Sequence, residues 1–86
     1  MKKYRFGIVS YDVITDPELS KNAKAVYTVL AVHCNKERTC FPSNGTMADL
    51  LNVSYSTIKR GIRELKEAKY IKRNGKIIKL IKWKNY

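Results

Sequence analysis

"SNGTMADLLNVSYSTIKRGIREL", residues 43–65, is the stretch on which the fold turns. Ser43 precedes Met47, Leu50 and Leu51, and Ser54 precedes Ile58, Ile62 and Leu65. A serine ahead of an apolar series at steps of three and four marks a helix start, because its hydroxyl can accept from a free N–H of the first turn. Asn52 closes the first series, and asparagine is second only to glycine in the left-handed conformation that ends helices. The pattern predicts a short helix over about 43–51 and a second over about 54–68. Gly45 weakens the first slightly.

On a helical wheel at about 100° per residue, Ile62 and Leu65 lie within about 40° of Ile58. Ser56, Lys59, Arg60 and Arg63 spread over an arc of about 100° on the far side. The later helix thus has one apolar face and one basic face. Gly61 sits beside the apolar stripe, where glycine costs roughly 0.5–1 kcal/mol relative to alanine. We read it as a packing residue that lets another helix come close. Helix, three- or four-residue turn, helix is the spacing of a helix-turn-helix.

The neighbouring segments extend this picture. "YIKRNGKIIKLIKWK" (70–84) alternates around Asn74-Gly75, a strong hairpin signal, and predicts a basic two-stranded wing. Upstream, Ser20 caps an expected helix over about 20–34, with Ala23, Val26, Tyr27, Leu30 and Ala31 facing inward. "NKERTCFP" (35–42) reads as a loop. "YRFGIVSYDVI" (4–14) is rich in aromatic and branched residues and reads as a strand, with Gly7 as a bulge or bend. The expected fold class is α+β, three helices with a C-terminal β-hairpin wing and an N-terminal strand.

At 86 residues the chain has room for one domain, spanning 1–86, in which about 60–65% of the unfolded surface is buried. Its net charge of +11 is uneven. Residues 54–86 hold 11 Lys/Arg against Glu64 and Glu67, a net +9, whereas residues 1–53 net +2. Such asymmetry points to a polyanion facing the C-terminal part; the plain alternative is a basic tail that aids solubility. No segment resembles a secretory signal, and the apolar run "KAVYTVLAVHC" is far short of the roughly 20 residues of a membrane span. We therefore expect a cytoplasmic protein with reduced thiols. His33, Cys34 and Cys40 give only three candidate metal ligands, two of them adjacent, and read instead as packing residues. No cofactor, metal or small-molecule substrate is expected.

"DPELSKNAKAVYTVL" and "CFPSNGTMADLLNVSYSTIKRGIRELKEAKYIKRNGK" together resemble the winged helix-turn-helix domains of plasmid and phage replication initiators, whose core many bacterial transcription regulators share. The likeness rests on Asp16-Pro17, Leu19-Ser20, Ala23-Lys24, Tyr27, Pro42-Ser43, Val53-Ser54, Thr57 and the Arg63-Glu64-Leu65 run. Asn52 stands where such turns usually carry glycine, and Gly45 replaces a polar side chain. The resemblance implies a non-enzymatic binder of double-stranded DNA, active in transcription regulation, replication or partition.

A recognition helix meets base edges with its N-terminal residues. That gives Tyr55, Ser56 and Thr57 as first contacts and Lys59 and Arg60 one turn deeper, with Arg60 as the candidate guanine reader and Arg63 on the same face. Helix N-termini attract phosphate, so Ser43, Thr46 and Ser54 are expected at the backbone, Ser54 chiefly as a cap. Lys72, Arg73 and Lys76 crowd the hairpin, placed for a phosphate strand or, for Arg73, the minor groove. Asn74 and Gly75 serve turn geometry. The bland reading of these cations is an ordinary solvated face.

Three other classes compete. The chain has no Ser/His/Asp set, glycine-rich phosphate loop or paired carboxylates, so no enzyme is expected. A winged-helix module binding an acidic protein partner is the alternative. Membrane binding lacks a helix with a basic face opposite bulky exposed apolar residues. A single winged helix reads few base pairs, which leaves room for a homodimer or a cooperative multimer on DNA. Trp83 with Tyr4 and Phe6 could form a dimer surface, or the N-terminal segment could fold over the last strand within one chain.

Overall fold

The computed structural model describes residues 8–35, 37–40 and 42–81. Four helices are followed by a hairpin: α1 Tyr11–Thr15, α2 Lys21–His33, α3 Asn44–Leu51, α4 Tyr55–Glu67, with β1 Thr39–Cys40, β2 Ile71–Asn74 and β3 Ile77–Leu80. The architecture is α+β, a winged helix-turn-helix.

Each helix begins on a serine. Ser10, Ser20, Ser43 and Ser54 all hold extended backbone and accept through Oγ from N–H groups of Asp12, Ala23, Thr46 and Thr57 respectively. In α3 and α4 the third helical residue is a threonine whose hydroxyl also meets the capping serine, at 2.9 Å for Ser43–Thr46 and 2.8 Å for Ser54–Thr57. The same device starts both helices of the motif.

Both of these helices also end alike. Asn52 (φ 58°) and Lys69 (φ 66°) are left-handed. Behind them Val53 N donates to Ala48 O at 3.0 Å and Tyr70 N donates to Leu65 O at 2.9 Å, the six-to-one bond of a Schellman motif. The first reversal turns α3 into α4; the second turns α4 into the wing. Tyr70, swung inward, stacks edge-on against Tyr27 (6.4 Å, 75°) and donates from its hydroxyl to Asp16 Oδ2 at 2.7 Å.

The sheet order is β1-β3-β2, antiparallel throughout. Its inner face carries Ile71, Ile78 and Leu80, which join Val13, Val26, Tyr27, Leu30, Met47, Ile58 and Leu65 in one core. The apolar stripe of α4 packs on α2 at Gly61. A Cβ there would sit 3.0 Å from Val26 Cγ2 and 3.4 Å from Ala23 Cα, which is the close approach that explains the glycine.

Three expectations are corrected. The N-terminal strand is absent from residues 8–14. Residues 11–15 instead form α1, because Ser10 caps a turn that buries Val13 against the core, and this outweighs the β preference of the local residues. The loop over 35–42 contains β1, whose pairing of Thr39 with Lys79 and Cys40 with Ile78 adds a third strand. The wing turn is displaced by one residue: Asn74 pairs with Ile77, and the loop is Gly75-Lys76 with Gly75 at φ 64°. A positive φ at the first loop position is the type II′ pattern, which suits glycine. Gly7, Tyr4, Phe6 and Trp83 lie outside the described residues, and with them the dimer surface suggested for the aromatic ones.

Cys40 is buried with Sγ 3.6 Å from Ile78 O, and burial pushes its thiol up to about 11. Cys34 is half-buried, and His33 Nδ1 lies 2.9 Å from Val29 O. Among the described residues no group of three or more His, Cys, Asp or Glu is placed to hold a metal ion, and no helix is long and apolar enough to cross a membrane.

Candidate nucleic-acid interface

The helix α4 is fixed from behind at three levels. Ile58, Ile62 and Leu65 are buried, Gly61 lies against α2, and the Glu64 carboxylate grips the start of α2. Its Oε1 accepts from Ser20 N and its Oε2 from Ser20 Oγ, both at 2.9 Å. The Ser20 hydroxyl thus donates to Glu64 while accepting from Ala23 N. Nothing local to either residue announces this clamp, since the two are 44 positions apart.

With its back fixed, α4 turns Ser56, Lys59, Arg60 and Arg63 to solvent. Among the described residues neither Arg60 nor Arg63 has a hydrogen-bond or ion-pair partner. The helix has two unlike flanks. Towards the wing lie Tyr55, Lys59, Arg63 and Lys66. Tyr55 is 56% exposed, and Lys59 Nζ sits 6.0 Å from its ring centroid. Towards α2 lie Arg60 and Glu64, which share a small notch with Thr57 and Asn22. Beyond it Asp16, Glu18, Glu64 and Glu67 line an open hollow of about 430 Å³. Arg60 therefore stands between the cations of the wing side and these four carboxylates.

The helix N-termini carry Ser43, Thr46 and Ser54 at exposed positions, with Thr57 half-buried. Their hydroxyls are engaged in the caps described above.

Strand pleating divides the wing cations. Lys72 pairs with Lys79 on the outer face, exposed and pointing away from the helices. Arg73 pairs with Ile78 and lies on the inner face, half-buried. Its Nε donates to Gly75 O at 3.1 Å and its Nη1 to Asn44 Oδ1 at 3.3 Å. Arg73 thus spans from the wing to the first residue of α3. Lys76 is exposed in the turn, beside Pro42, Ser43, Asn44 and Tyr55 around a second hollow. The structure therefore gathers Tyr55, Lys59, Arg63, Arg73 and Lys76 on one side, leaves Arg60 on the opposite flank of α4, and separates Lys72 from Arg73.

Asn44 and Lys66 also belong to the gathered side, and the sequence reading did not select them. Lys66 could have been found on the wheel, about 80° from Ile58 and next to Lys59. Asn44 could not, because its role depends on the wing folding back to α3.

A family profile described as a helix-turn-helix domain matches residues 18–71. No curated protein and no solved structure matches the chain. The matched span runs from just before α2 through the whole of α3 and α4 to the first residue of the wing, more than half of the chain. On that match and on the geometry of α3, the Asn52 turn and α4, the chain belongs to the helix-turn-helix domain family.

Proposed function

We propose that the protein binds double-stranded DNA with α4 in the major groove and the wing on the flanking strand. It would act as a small transcriptional regulator or as the DNA-binding module of a plasmid or phage replication or partition system. Family membership supports DNA binding. The observation that carries the reading is the outward set Ser56, Lys59, Arg60 and Arg63 on a helix whose opposite face is wholly anchored. In this arrangement Tyr55, Ser56, Thr57, Lys59, Arg60 and Arg63 meet the groove. Ser43, Thr46 and Ser54 meet phosphates through the helix ends, and Lys72, Arg73 and Lys76 come from the wing. Two copies on adjacent half-sites would supply the specificity that one winged helix lacks.

Fluorescence anisotropy with labelled random duplex at two or more salt concentrations tests this. About six phosphate contacts give a log–log slope near −5. On the selected target, Arg60→Ala should weaken binding by about 1–3 kcal/mol and relax preference at one base pair. A salt-independent affinity, or no binding to duplex, would refute the proposal.

A further inference from the structure

The geometry points to the hollow between α4 and the wing as a cradle for the DNA phosphate backbone, with Lys66 as a contact and Asn44 as its positioning residue. This rests on the duplex-binding reading above and deepens it by assigning the wing's Arg73 to the phosphate strand, not to the floor of the minor groove.

The hollow encloses about 270 Å³ and is lined by Asn44, Lys59, Ile62, Arg63, Lys66 and Arg73. At about 30 Å³ per water molecule it has room for a phosphodiester group. Four of the six lining residues are cations and none is a carboxylate. The two acidic residues of α4, Glu64 and Glu67, line the hollow on the other flank. Gathering four like charges around a concavity works against folding, and an anion seated there would relieve it.

Arg73 is set in advance for such an anion. Arg73 donates to two neutral acceptors, Asn44 Oδ1 and Gly75 O, so its charge is oriented by them without being cancelled. A guanidinium has five N–H donors, and these bonds use two of them. Since arginine only donates, the amide of Asn44 must turn its oxygen to Arg73. Inserting Arg73 into a minor groove would break both bonds. The pleat also matters: Lys72, on the other face of the same strand, has no access to this hollow.

Binding to duplex is measured against salt for the wild type, Asn44→Asp, Lys66→Gln and Arg73→Gln, with Lys79→Gln on the outer face as the charge-matched control. Thermal unfolding is followed in parallel. One phosphate contact contributes about 0.9 to the slope. Lys66→Gln and Arg73→Gln should each flatten the slope by about that amount and weaken binding roughly eight-fold at 0.1 M salt. Lys79→Gln, outside the hollow and opposite Lys72, should flatten the slope less than either of them. Asn44→Asp is the decisive variant. An acidic residue in the first turn of α3 favours the helix, so the melting temperature should hold or rise, while binding falls as the new carboxylate neutralises Arg73. Binding that holds while the melting temperature holds or rises would overturn the assignment.

Two further outcomes would also overturn it. One is wild-type binding with unchanged slopes in Lys66→Gln and Arg73→Gln, which leaves the duplex-binding reading standing. The other is loss confined to A·T-tract duplexes in Arg73→Gln, which would place Arg73 in the minor groove. A wild type that does not bind duplex at all removes both readings.

Discussion

Gly61→Ala tests how closely α4 is seated on α2. In an unconstrained helix interior the substitution stabilises by roughly 0.5–1 kcal/mol through propensity. Here the added methyl would sit 3.0 Å from Val26 Cγ2, 3.4 Å from Ala23 Cα and 3.6 Å from Asn22 O. Unstrained carbon contacts lie at about 3.5–4.0 Å, so one side of the intrusion is too short by about half an ångström. The other side is helix backbone, which cannot rotate away. Overpacking of this kind costs about 1–3 kcal/mol. The net effect should be a loss of about 1 kcal/mol, which lowers the melting temperature of a domain this size by about 4–8 °C. Urea unfolding of Gly61→Ala, Val26→Ala and the double variant completes the test. Val26→Ala should cost about 2 kcal/mol from two buried methyl groups. It also removes the clashing atom, so the double variant should be at least about 0.5 kcal/mol more stable than the sum of the single changes. A stabilised Gly61→Ala together with additive energies would show that the helices are not in contact there.

Substitutions at three further positions address other joints. Glu64→Ala removes both acceptors of Ser20 and should destabilise by about 1 kcal/mol, with Glu64→Gln, which keeps one acceptor, losing less; equal melting temperatures would refute the clamp. Lys69→Gly relieves a left-handed residue at the end of α4 and should stabilise by about 0.5–1 kcal/mol in chemical unfolding, whereas a loss would mean that the lysine side chain supports the junction. Burial, and after it the hydrogen bond to Asp16, pushes the Tyr70 phenol up to about 12. An unfolded tyrosine ionises near 10. The raised value favours the neutral folded form, so its stabilisation is fully present below pH 10 and is lost between pH 10 and 12. Tyr70→Phe should abolish this loss in parallel unfolding curves.

The winged helix-turn-helix was legible because its decisive signals are local. Ser43, Asn52 and Ser54 mark helix ends through their own side-chain and backbone preferences, and the stripe of Ile58, Ile62 and Leu65 needs only a period. Gly61 was legible as an exception to helix propensity. What escaped depends on tertiary contact or on lengths too short for a period. α1 has five residues, and its aromatic and branched composition argues for a strand. β1 has two residues and exists only because β3 passes beside it. The turn register is set by the pairing of Asn74 with Ile77, not by the Asn-Gly dipeptide alone. Lys69 is an unremarkable surface residue until the wing demands a reversal. Candidate contacts were legible as exposed cations on α4, but their division into two flanks, and the meeting of Arg73 with Asn44, required the folded chain.

The two flanks of α4 also make the molecule electrically lopsided. Asp16, Glu18, Glu64 and Glu67 line one hollow and Lys59, Arg63, Lys66 and Arg73 another, in a body 39 × 34 × 25 Å across. Near a polyanion this separation would act as a torque that turns the cationic hollow towards it. At physiological salt the screening length is about 8 Å. The turning then takes place only within the last few water layers, and in dilute salt it begins farther out and shortens the search.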